Sequence, residues 1–229
     1  MKTNRIKSIS FATAIAGLLM ATQACFSQGF VNLNFESANI SGYSSGSTDV
    51  PIGLALPGWS AYNINSLGTA SFSQVGYNFL SLGAPGLSLI DINADGLPTL
   101  QGNDSVVLFG SLGNTIALNQ TGFVSNDTES LLLDVYADDN FEVTLGGHTL
   151  NFVPLQNFPN YTIYGADIST FAGNTETLSL IAPPTRTPNI VEFDSIIFSP
   201  SLVPEPDVLN LCAIGSAVLA LCRWKARAI

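Results

Sequence analysis

The feature that most constrains this chain is a succession of short apolar runs, broken by Gly, Pro, Asn and Asp, between Val31 and Phe198. Runs of about four to eight residues rich in Val, Ile, Leu, Phe and Tyr suit strands, and the turn residues between them forbid long helices. Strands are expected near 31–35, 59–64, 69–74, 87–92, 105–109 and 115–118, then near 131–137, 141–145, 148–152, 161–166, 177–181 and 191–198. Gly146-Gly147 reads as a two-residue hairpin turn, since both positions can take positive φ. Asp138-Asp139-Asn140 reads as a further turn. No segment from 28 to 202 carries a helical apolar period of useful length. The expected class is all-β, an antiparallel sandwich or jelly roll in one domain.

The two ends are of another kind. Residues 1–7 carry Lys2, Arg5 and Lys7, an apolar stretch follows over 9–21, and small residues come at Ala24 and Ser27. That order is expected of a secretory signal spanning 1–27, cleaved after Ala24 or Ser27, with lipidation at Cys25 as the alternative. At the other end, 203–229 reads as a proline-fixed spacer, an uncharged apolar stretch over 208–222, and the basic residues Arg223, Lys225 and Arg227. Fifteen residues of helix rise about 22 Å, short of a hydrocarbon core of about 30 Å. Snorkelling of Arg223 and Lys225 narrows that gap, so a membrane-spanning helix is expected.

Charge then limits the partners. Between Gln28 and Leu202 the chain holds 15 acidic residues and one basic residue, Arg186, for a net −14. Such a surface repels polyanions, which excludes nucleic acid. It suits neutral glycans or divalent cations. Cys25, Cys212 and Cys222 all fall in the end segments, so no disulfide, thiolate nucleophile or zinc–thiolate site is expected in the 28–202 domain.

The tail Pro204-Glu205-Pro206, 208–222, Arg223 to Arg227 resembles the PEP-CTERM sorting signal of Gram-negative bacteria. That resemblance implies recognition and removal by an exosortase-type membrane enzyme. It also implies export through the inner membrane to the cell surface or extracellular matrix, with transient anchoring by the helix. Within the domain, Asn32-Leu33-Asn34-Phe35-Glu36, Leu56-Pro57-Gly58-Trp59, residues 161–173 and Phe193-Asp194-Ser195-Ile196 resemble galactose-binding-like jelly rolls, the architecture of several carbohydrate-binding modules. The resemblance implies a structural calcium between Glu36 and Asp194, although Ser195 stands where the family often has a second Asp. A separate oxygen-rich run, Asp91-Ile92-Asn93-Ala94-Asp95-Gly96, matches the opening half of an EF-hand loop, but Gly102 stands where its closing acid belongs. Asp91, Asn93 and Asp95 are thus a second candidate metal set, against the simpler reading as a turn.

Catalytic equipment is sparse. Glu192-Phe193-Asp194 places two carboxyls on one strand face and resembles the Glu-x-Asp-x-x-Glu strand of a jelly-roll glycoside hydrolase family, but Ile197 replaces the final acid. A structural role, joining the last strand to the first, is the expected alternative. His148 stands alone at a hairpin, and the serines of Gly42-Tyr43-Ser44-Ser45-Gly46 lack the spacing of a nucleophile elbow. Aromatic platforms for sugar are sought at Tyr43 and Tyr77, with Trp59 expected in the core more than at a surface. The resulting expectation is a non-catalytic structural or glycan-binding component of extracellular polysaccharide, with a secreted glycoside hydrolase as the alternative.

Overall fold

The computed structural model describes residues 29–46, 48–79, 86–94 and 96–203. The expected signal segment, the three cysteines, Asp95, and the tail with Pro204, Glu205, Pro206, Arg223, Lys225 and Arg227 lie outside these residues. Among the described residues no helix is long and apolar enough to cross a membrane.

In chain order the strands are β1 (Thr48–Pro51), β2 (Ser60–Asn65), β3 (Gly68–Ser71), β4 (Gln74–Tyr77), β5 (Gly86–Asp91), β6 (Asp104–Gly110) and β7 (Asn114–Phe123). After them come β8 (Ser130–Ala137), β9 (Glu142–Leu145), β10 (His148–Thr149), β11 (Val153–Asn157), β12 (Thr162–Asp167), β13 (Thr175–Ala182) and β14 (Asn189–Ser199). A single helical turn, α1 (Ile52–Ala55), follows β1. The strands form an all-β sandwich: an eight-stranded sheet ordered β1-β4-β5-β6-β14-β8-β12-β11 and a six-stranded sheet ordered β10-β9-β13-β7-β2-β3.

Alternation along the strands decides what lies between the sheets. Val106 and Leu108 of β6, Leu131 and Leu133 of β8, and Val191 and Phe193 of β14 share one buried cluster with Ile116 and Leu118 of β7 and Leu178 and Leu180 of β13. Their neighbours in sequence face the other way. On the outer face of the larger sheet this leaves Ile90, Val107 and Phe109, which Ala94, Leu97 and Ile190 cover as a second, smaller cluster.

Several expectations are corrected. Residues 31–35 form turns rather than a strand, because Asn32 and Phe35 take positive φ of 50° and 57°. A side chain replaces the missing ladder: Val31 N donates to Gln120 Oε1 at 2.6 Å and Gln120 Nε2 donates to Val31 O at 2.9 Å. The 69–74 run divides between β3 and β4, and the 148–152 run keeps only β10 as strand, the chain passing between sheets after β3 and after β10. β1 was not expected, since Thr48-Asp49-Val50-Pro51 contains a single large apolar residue that buries, Val50. One neighbouring pair, β4 with β5, is parallel. The last strand does not meet the first: β14 lies between β6 and β8 in the middle of its sheet, and its acids pair there. Gly146-Gly147 does close the β9–β10 hairpin, at φ of 59° and 79°.

Trp59 is 4% exposed and packs as expected in the core, 5.6 Å from the ring of Phe35, with its Nε1 donating to Asn32 O at 3.0 Å. Phe35 is fully buried, so Phe35→Ala should destabilise the domain by about 3–5 kcal/mol. Leu112→Ala, at a residue 75% exposed, should stay within about 0.5 kcal/mol in the same chemical-denaturation series.

Candidate functional site

The turn at 100–105 is closed by acceptors reaching it from distant parts of the chain. Glu36 Oε1 accepts from Asn103 N at 2.6 Å and Asp104 N at 3.1 Å, while Oε2 accepts from Asn103 Nδ2 at 2.9 Å. Asp194 Oδ2 accepts from Gln101 N at 3.1 Å and from the Ser105 hydroxyl at 3.0 Å. Ser105 Oγ in turn accepts from Leu100 N at 3.0 Å. Gly102, at φ +59°, leaves the space in which the Glu36 carboxylate lies. The two acids that the jelly-roll resemblance ties together therefore meet at one turn, but what they hold is the turn's N–H groups.

That geometry bears on calcium. A cation needs oxygen lone pairs converging on it, and here N–H and O–H donors occupy both carboxylates. Ser195 N adds a third donor to Asp194, bonding Oδ1 at 2.6 Å. Among the described residues no group of three or more His, Cys, Asp or Glu side chains is arranged to hold a metal. Asp91 is likewise saturated, by Tyr77 OH at 2.6 Å, Asn78 Nδ2 at 2.6 Å and Asn93 N at 2.7 Å. Asn93 also turns its own amide onto Asp91, so this run behaves as a side-chain-closed turn. Millimolar calcium should therefore raise the melting temperature no more than equimolar magnesium does, both ions acting by screening.

β14 carries the remaining carboxyls. Its register shifts between Asp194 and Ile197, inserting one residue against β8, and Ser195 takes φ 49° there. The bulge turns Ile196 into the core and leaves Ile197 outward and 52% exposed. Asp194 stands directly opposite Asp134 of β8, and Glu192 opposite Tyr136. All three acids point to the outer face yet are shut from water, at 0% exposure for Glu192, 1% for Asp194 and 3% for Asp134. Neither Glu192 oxygen has a hydrogen-bond partner, and Asp134 Oδ2 has none. The Ser105 hydroxyl is near Glu192, but its one proton goes to Asp194.

Burial without a cation favours the neutral form. It pushes Glu192 up to about 8, Asp194 charge adding to the rise and the Ser105 hydroxyl opposing it. Asp194 rises to about 7 by burial, against the donors from Gln101, Ser195 and Ser105, and Asp134 rises to about 6 for the same first reason. Glu36 goes the other way, its burial outweighed by the Asn103 and Asp104 donors. For the three raised groups the folded chain holds protons that the unfolded chain has released. Stability must then fall as pH rises from about 4 to about 8. Glu192→Gln should flatten that decline by a few kcal/mol across the window, read from denaturant midpoints at successive pH values.

Beside this buried group lies an open cleft of about 390 Å³. The β11–β12 turn supplies Phe158 and Tyr161, whose rings stack at 4.7 Å and 20°. Phe158 N donates to Tyr161 O at 2.8 Å, which fixes the turn that brings the rings together. Tyr136, Asp139 and Asn140 line the facing side, with Asn160 at the tip. Tyr136 OH donates to Asp138 Oδ1 at 2.7 Å, and Tyr161 OH accepts from Gln101 Nε2 at 3.0 Å. Through Gln101 the turn held by Glu36 and Asp194 thus also steadies the stacked pair.

The structure places the other candidates elsewhere. Tyr77 is buried against Asp91 and Tyr43 packs half-buried on the core, so neither presents a platform. His148 is exposed on β10, 5.9 Å from the Phe171 ring. Asn140 is read from sequence only as a turn residue, and Phe158 and Asn160 are not among the candidates; Phe158-Pro159-Asn160-Tyr161, two aromatics about a Pro-Asn turn, is the signal that marks those two.

No protein-family model matches the chain, and no curated protein matches it. Among solved structures it is similar to the enzymatically active domain of bacteriophage CBA120 tailspike protein 4, at 12% identity and a TM-score of 0.39. That match covers 74% of this chain and 21% of the tailspike chain, and a similarity this low carries no argument about activity.

Proposed function

We propose that this is an exported, PEP-CTERM-sorted jelly-roll protein of the galactose-binding-like kind that binds neutral glycan in an extracellular polysaccharide without cleaving it. The observation that carries the reading is the cleft at Phe158 and Tyr161. Sugar recognition wants flat apolar faces beside amide and carboxylate groups, and this cleft offers two stacked rings with Asn140, Asn160 and Asp139. Against hydrolysis stands the burial of Glu192 and Asp194 at 0% and 1% exposure, since two catalytic carboxyls must flank a sugar bond. The proposed partner before processing is an exosortase-type enzyme, acting on Pro204-Glu205-Pro206 while 208–222 anchors the chain.

Binding of the producing cells' own extracellular polysaccharide should weaken several-fold in Tyr161→Ala, which removes one ring of the stacked pair. Unchanged affinity would remove the cleft from the reading. Incubation with β-glucans, xylan and the native polysaccharide should release no reducing ends above a boiled control. Turnover that vanishes in Glu192→Gln would favour the glycoside hydrolase instead. Replacing Pro204-Glu205-Pro206 by alanines should leave the chain membrane-bound at full mass; release at the wild-type mass would count against sorting.

A further inference from the structure

The eight-stranded sheet has a second aromatic cavity at its other end. It measures about 370 Å³ and opens between β1, β4 and β5. Phe72 and Phe79 frame it with Phe109 in its floor, and Asp49, Gln74 and Ser88 supply polar groups. Phe79 is 49% exposed, an unusual place for a large aromatic, and it is held there: Ser88 Oγ donates to Phe79 O at 2.5 Å. Gly76 makes that bond possible, since an added Cβ would crowd both the Ser88 hydroxyl and the Phe79 carbonyl. The Phe79 ring is therefore presented by a packed support.

We infer that this cavity is a second site for neutral glycan, so that one domain holds two polysaccharide segments at once. The inference rests on the glycan reading of the first cleft, whose chemistry it repeats: ring faces with amide, hydroxyl and one carboxylate. Among the described residues no cation lines it, and Asp49 repels anions, which leaves neutral polyols as the fitting class. The sites lie at opposite ends of the strand order; four strand spacings from β5 to β12 make about 19 Å. Two weak sites on one rigid sheet gain by effective concentration when both engage the same network of chains.

The test uses the full-length chain in detergent micelles, titrated calorimetrically with disaccharides cut from the producing cells' polysaccharide, too short to reach both sites. Wild type should bind two per chain, Phe79→Ala and Tyr161→Ala one each, and the double variant none. Phe79 is exposed, so its variant should keep the wild-type melting temperature, which is checked alongside. A stoichiometry of one that Tyr161→Ala abolishes would overturn the second site and leave the first standing. Two sites unaffected by Phe79→Ala would also overturn it. Absence of any binding would sink both readings together.

Discussion

The carboxylate grip on the 100–105 turn is the contact on which the rest of the structure leans. A turn between strands leaves amide N–H groups with no ladder partner, and buried ones must be satisfied. Here Glu36, from the N-terminal segment, and Asp194, from the last strand, satisfy them together. One consequence is positional: the turns around Phe35 and Trp59 are tied across the sandwich to β6. Another is electrostatic. Asp194, which Gln101 N meets at the turn, shares its strand face with Glu192 and stands opposite Asp134, both shut from water. A third runs sideways, through the Gln101 amide to the phenol of Tyr161.

Much of this was legible before any coordinates, and the reasons differ by residue. Strands with strong alternation or long β-branched runs, such as β6, β8 and β14, declare themselves because both period and composition agree. Gly146-Gly147 announces its hairpin by backbone freedom alone. Glu36 and Asp194 converge on a single turn. Their ligands were not legible, because a carboxylate in a sequence looks the same whether it awaits a metal or an amide. The N-terminal run failed as a strand for a related reason: Gln120, far away in sequence, lends its side-chain amide in place of a neighbouring backbone. The cleft was hidden because aromatic position depends on register, which periodicity does not fix. Tyr77 and Tyr161 are alike on paper, yet one closes on Asp91 and the other opens on solvent.

Burying three acids without a cation is expensive, and the larger sheet places them at its middle rather than its rim. Protonation relieves most of that cost, which is why their proton affinities rise together. Asp194 differs from its neighbours in having donors on both oxygens, which oppose the effect of its burial. Glu192, with none, is the member best suited to stay neutral. The same strand face thus holds two carboxyls whose proton affinities are both raised by burial, with donors on Asp194 opposing the rise.

The position of β14 also sets an order in time. It is the last strand among the described residues, yet β6 and β8 both pair with it, so the two halves of the larger sheet are bridged only by residues 189–199. Before that strand is in place, β5–β6 and β8–β12–β11 can form only as separate ribbons with open edges. Arrival of the final strand closes both edges in one step, and with them the turn that Asp194 holds.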